Sequence, residues 1–121
     1  MKRADAVESL RIFMPRRNRA MKELGDQILN AIEHGAMKAK PPLLHYPFYR
    51  AHGWYFDFAW PAQMVAADVG SFTIFTSPEK WDHARSSGWR VFRFSPTEVR
   101  DGKAIETLAR ALSHPPLFQQ S

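Results

Sequence analysis

The sequence predicts an α/β domain, a four-stranded mixed sheet flanked by helices. Three observations predict it. Apolar residues recur at helical spacing in "PRRNRAMKELGDQILNAIEHG", aromatic residues alternate in "WYFDFAW", and helix-start signals at Ser77-Pro78 and in "SPTE" bracket a further strand-like run, "WRVFRF". The resulting order is helix, three strands, helix, strand, helix. A chain of 121 residues has the length of one domain, 1–121, with an arm at 1–15 and a tail at 113–121.

The first helix begins at Pro15, a good first-turn residue, and repeats Met21, Leu24, Ile28 and Ile32 along one face. Gly35 suits its C-terminal cap. The preceding "ADAVESLRIF" reads as a short helix of its own. Tyr46 to Tyr49 and Trp54 to Ala59 flank a turn at "RAHG", the mark of a hairpin. Strand alternation puts Trp54, Phe56 and Phe58 on one face and Tyr55 and Asp57 on the other. Pro61 stops that strand. In "MVAADV", a third strand, Ala66 and Asp68 point one way and Val65, Ala67 and Val69 the other.

"SPEKWDHARSSG" is a helix with Ser77 as N-cap, Pro78 at the first position and Gly88 beyond the end. "WRVFRF" is the fourth strand. Ser95 to Glu98 form a capping box that opens one last helix, burying Val99, Ile105, Leu108 and Leu112.

With 45% hydrophobic residues the chain can build a core, and no apolar run approaches membrane-spanning length. No uninterrupted apolar segment opens the chain, and Asp5 and Glu8 argue against a transit peptide, so the cytoplasm is the default compartment. With no cysteine, disulfides and thiolate metal sites are excluded. Five histidines lack the spacing of a zinc site, and His83 reads as a solvated helix residue or a cleft-side phosphate contact. No Gly-rich phosphate loop and no nucleophilic Ser motif is present.

Lys and Arg number 17 against 12 Asp and Glu, and the excess is uneven. "RIFMPRRNRAMK" holds Arg11, Arg16, Arg17, Arg19 and Lys22 with no acid between them. Clustered cations favour a polyanion, DNA first, although an ordinary solvated basic surface has the same composition. Arg16, Arg17, Arg19 and Lys22, at a helix start, are the expected backbone clamps. Arg90 and Arg93 lie on opposite faces of the fourth strand, so only one can face a cleft, and Arg90 is the expected contact. Trp60, in the turn between the second and third strands, is the expected base-stacking ring; the other tryptophans read as core.

Asp57 and Asp68 are the chemically conspicuous residues. Both sit in apolar strands, eleven positions apart. If those strands pair around "WPAQ", the two side chains converge, and their repulsion is relieved by a cation. A hard dication such as Mg²⁺ needs only one or two carboxylates and completes its shell with water and phosphate oxygens. A solvated or turn-capping aspartate is the commoner meaning of an Asp near a strand end.

"YFDFAWPAQMVAADVG", followed by "EKWDHARSSGWRVFRFSPTEVRDGKAIETLARAL", resembles small bacterial and phage domains related to very-short-patch-repair endonucleases. These belong to the PD-(D/E)xK restriction-endonuclease-like superfamily. The resemblance runs from Trp54 to Leu112. It implies a four-stranded mixed sheet and a Mg²⁺-dependent DNA endonuclease (Mn²⁺ also serving), often a homodimer. Asp57 would be its metal-binding aspartate, Asp68 its second acid and Lys80 its lysine, displaced onto the following helix. Glu23, or Asp26, would be a further metal contact. Two departures stand out. Gly70 occupies the third motif position, where relatives carry a lysine or an acid, and "SFTIFTS" is shorter than the usual loop. Those departures equally fit a catalytically inactive module that binds nucleic acid or a protein partner.

Overall fold

The computed structural model describes residues 16–70 and 78–113, and the side chains of these from Asn18 onward. The arm at 1–15, with Pro15, the segment 71–77, with its N-cap Ser77, and residues 114–121 lie outside the described residues.

Helix α1 spans Arg16–Glu33. Its buried stripe is Ala20, Leu24 and Ile28, the helical spacing of the sequence. Gly35, at φ +79°, lets the chain turn out of the helix, and the amides of Ala36 and Met37 both reach the Ala31 carbonyl. Strand β1, Leu43–Tyr49, starts three residues earlier than alternation suggests. It runs into a 3-10 turn, Arg50–His52, closed by Gly53 at φ +67°, and returns as β2, Trp54–Trp60. Strand β3 is Val65–Val69; helix α2, Pro78–Ser86, crosses over to β4, Arg90–Phe94.

The sheet order is β1-β2-β3-β4, the first two pairings antiparallel and the last parallel. The capping box is made as its sequence implies: the Glu98 amide donates to Ser95 Oγ at 3.1 Å and the Ser95 amide to Glu98 Oε1 at 3.0 Å. The expected single last helix is two, however. Helix α3, Pro96–Arg100, ends at Asp101, and Gly102 at φ +84° redirects the chain into α4, Lys103–Leu112.

One face of the sheet packs against α1, α3 and α4. Leu24, Ile28, Phe58, Val65, Val99 and Leu108 anchor that cluster, and Gln27 ties α1 to α3 by donating to the Val99 carbonyl at 3.1 Å. The other face packs against α2 through Phe56, Ala66, Trp81, Ala84 and Trp89. Phe56 and Phe58 therefore face opposite ways, against the expectation from strict alternation. The pleat is interrupted at Asp57, and the facing residue on β1, His45, has φ +50°. Alternation holds in β3, with Val65, Ala67 and Val69 in the first cluster and Ala66 in the second.

Candidate metal and phosphate site

The β2–β3 ladder runs Trp60↔Val65, Ala59↔Ala66, Phe58↔Ala67 and then stops. Continuing that register would set Asp57 across from Asp68. There the two side chains replace the ladder. The Asp57 amide donates to Asp68 Oδ1 at 2.6 Å, and the Val69 amide donates to Asp57 Oδ2 at 2.9 Å. Each carboxylate is thus held by the other strand's backbone. The hairpin needs no loop longer than Pro61 to Met64, because Gln63 and Met64 amides close the turn on Trp60 and Pro61.

Asp57 is 2% exposed, and among the described residues it is the one charged residue fully buried. Burial pushes the Asp68 carboxyl above the usual aspartate range, and the neighbouring Asp57 charge pushes it further; Lys80 and the hydrogen bond from the Asp57 amide pull it back. Two carboxylates in a water-poor place ask for positive charge, and the first to supply it is Lys80. Its Nζ lies 3.2 Å from Asp68 Oδ2, carried there by α2. The same ammonium stands 4.5 Å from the Trp81 ring centre and 5.5 Å from that of Tyr55.

The second cation is Arg93. The parallel β3–β4 register pairs Asp68 with Arg93, and the Arg93 guanidinium lies 4.8 Å over Trp81. Trp81 is thus bracketed by both cations on the carboxylate side of the sheet. Arg90 is elsewhere. It pairs with Val65 at the other end of β3, and its Nη2 donates to the Gln63 carbonyl at 3.3 Å. The expected contact at Arg90 is corrected to Arg93, since the strands' register, not charge, selects the cleft residue.

Other expected residues fall away from this point. Trp60 is 3% exposed and donates through Nε1 to the Lys40 carbonyl at 2.8 Å, which makes it core and not a stacking surface. Glu23 is exposed on α1, and among the described residues no group of three or more His, Asp or Glu is placed to hold a metal. Asp26 is ion-paired with Lys22 at 3.1 Å, and both line a groove of about 610 Å³ between α1 and the β1–β2 hairpin that reaches Asp57. Arg19 is exposed; the side chains of Arg16 and Arg17 lie outside the described residues.

Comparison with family models, with curated proteins and with solved structures gives no match. The chemistry of the site therefore rests on its own donor set. That set suits a hard cation: only carboxylate oxygens, each retaining lone-pair capacity beside its amide bond, and no nitrogen or sulfur ligand. The amide bonds fix the orientation of both carboxylates. No helix among the described residues is long and apolar enough to cross a membrane.

Proposed function

We propose that the protein is a Mg²⁺-dependent DNA endonuclease of the restriction-endonuclease-like type, hydrolysing a phosphodiester at Asp57, Asp68 and Lys80. One observation carries the reading: a buried carboxylate and a part-buried one, from adjoining strands, are bound to each other's backbone, with a lysine 3.2 Å from the second. The mixed sheet, with its α2 crossover between parallel β3 and β4, agrees with the arrangement that the resemblance implies.

Asp57 and Asp68 would hold the ion, which when bound supplies Lewis-acid polarisation of the phosphate and a more acidic attacking water. Asp57 keeps its orientation through the Val69 amide, and Asp68 through the Asp57 amide. Lys80, whose Nζ lies 3.2 Å from Asp68 Oδ2, would present its ammonium to the phosphate oxygens or to the attacking water. Arg93, on β4, stands next to Asp68, its guanidinium over Trp81. Tyr55 and Trp81 wall the ammonium and reduce its contact with bulk water. Arg19 and Lys22 on α1 would grip the DNA backbone, and a second copy would allow both strands to be cut.

A second reading has its own observation. Lys80 already pairs with Asp68, and Gly70 adds neither ligand nor charge, as in a nuclease fold that binds nucleic acid or a protein without cutting. Nicking of plasmid and branched DNA with Mg²⁺ or Mn²⁺ separates the two. The endonuclease reading expects cleavage that Asp57→Ala abolishes. Equal cleavage by both proteins would remove the site assignment, and salt-sensitive binding by both without cleavage would favour the inactive module.

A further inference from the structure

One set of rings beside Lys80 is not used by the cleavage reading. At the turn of the β1–β2 hairpin, Tyr49 stacks on His83 of α2 with centroids 4.2 Å apart and planes 11° from parallel. His52 stacks on Trp54 at 4.6 Å, and Tyr49 meets His52 edge-on at 4.9 Å. None of the four belongs to either buried cluster; His52 is exposed and the others are half-buried. Phe48, which packs against the second cluster, meets Trp54 at 6.3 Å and His83 at 6.2 Å, so the rings carry that aromatic wall outward to the exposed His52. Arg50 is exposed in the same 3-10 turn. Lys80 and His83 lie three residues apart on α2, which brings their Cβ atoms to about 5–6 Å on one flank of the helix.

We propose that Tyr49, His52, Trp54 and His83 form a stacking platform for an unpaired base of the strand cleaved at Asp57, Asp68 and Lys80, so that the substrate is single-stranded or locally unpaired DNA. The inference rests on the endonuclease reading of that site. Rings accept any base, because every base offers a π-face, and the aromatic surface sits next to an Arg suited to the flanking phosphate. Bases in intact duplex are stacked on each other and have no free face to offer. The two imidazoles and Arg50 give the platform donors that an all-hydrocarbon cluster lacks.

The test is binding of a labelled oligo-dT and of a blunt duplex of equal length to the wild-type protein in EDTA, read by fluorescence anisotropy. The oligo-dT is expected to bind more tightly. His52→Ala and Trp54→Ala are each expected to weaken oligo-dT binding roughly tenfold, while duplex binding changes by no more than about twofold on the same basis, since no base is freed to stack. His52 is exposed and outside the core, so its variant keeps the wild-type melting temperature and serves as the folding-neutral probe. Equal losses on both DNAs, or none on oligo-dT, would overturn the platform. Cleavage is scored separately. A protein that cuts nothing yet loses oligo-dT binding with the rings retains the platform and fails the endonuclease reading. One that cuts duplex and single strands alike, unaffected by the ring variants, does the opposite.

Discussion

The two faces of the sheet are built from different materials. Toward α1, α3 and α4 the contacts are hydrocarbon almost throughout, with Leu24, Ile28, Val65, Val99 and Leu108 at or near zero exposure. Toward α2 the wall is aromatic, and at the end of β3 and β4 it gives way to Asp68, Lys80 and Arg93, with Asp57 bound to β3 beside them and bordering the α1 groove. The first face buries apolar area without charge and so supplies stability. The second holds Asp68, whose ionised form burial disfavours, and a perturbed carboxyl beside a cation is the kind of group the proposed site would use.

Breaking the first face should cost the most. Leu24→Ala removes a fully buried side chain and is expected to destabilise the fold by about 2–5 kcal/mol, or about 10 °C or more in melting temperature. Calorimetry checks it, and DNA cleavage per folded molecule should not change. Lys80→Ala is the mirror experiment. Cleavage is expected to fall roughly 100- to 1,000-fold, far more than the melting temperature falls with the lost Asp68 ion pair, because Lys80 is one-fifth exposed. A cleavage loss that merely follows unfolding would blur the division between the faces. Ser95→Ala, which opens the capping box at α3, should cost about 0.5–2 kcal/mol and again leave cleavage per folded molecule intact.

The smallest effect has the opposite sign. The folded Asp68 carboxyl titrates above its value of 3.8 in the open chain, so the folded state holds that proton more tightly. Its contribution to stability is complete below the unfolded value and is lost as pH rises through the raised one. Asp68→Asn cannot ionise. It should match wild type in acid and melt higher at neutral pH without divalent ions, an advantage measurable by thermal melts between about pH 3 and pH 8. Added Mg²⁺ should narrow that gap from the wild-type side, since only wild type gains a bound ion.

Local chemistry made much of the architecture legible. Gly35, Gly53 and the Ser95–Glu98 box each mark their boundary through backbone requirements visible in a few residues. What escaped depended on partners far along the chain. Leu43 to His45 show no alternation, yet pair with Ala59 and Phe58 as an edge strand. The helix break at Gly102 was hidden by unbroken apolar spacing from Val99 to Leu112. Phe56 and Phe58 part company because Asp57 interrupts the pleat, and pattern arguments assume a regular one.

In the site, resemblance pointed to Asp57, Asp68 and Lys80, and the geometry brings those three together. Arg93 was passed over for Arg90 because parity names two opposite faces without saying which one meets β3's aspartate. That choice is settled by the register across the α2 crossover. Trp60 carried the right chemistry for stacking, but its acceptor, the Lys40 carbonyl, lies twenty residues earlier and binds it into the core. The ring cluster at Tyr49 and His83 joins residues on a hairpin and a distant helix, which no local pattern links.

The pairing of Asp57 with Asp68 around a dication is tested most directly by Mn²⁺ titration followed by electron paramagnetic resonance. The wild-type protein should take up Mn²⁺ at one site, Mg²⁺ should displace it, and Asp57→Asn and Asp68→Asn should each abolish that uptake while remaining folded by circular dichroism. A wild-type protein that leaves Mn²⁺ free in solution, or variants that bind it as well as wild type, would contradict the account.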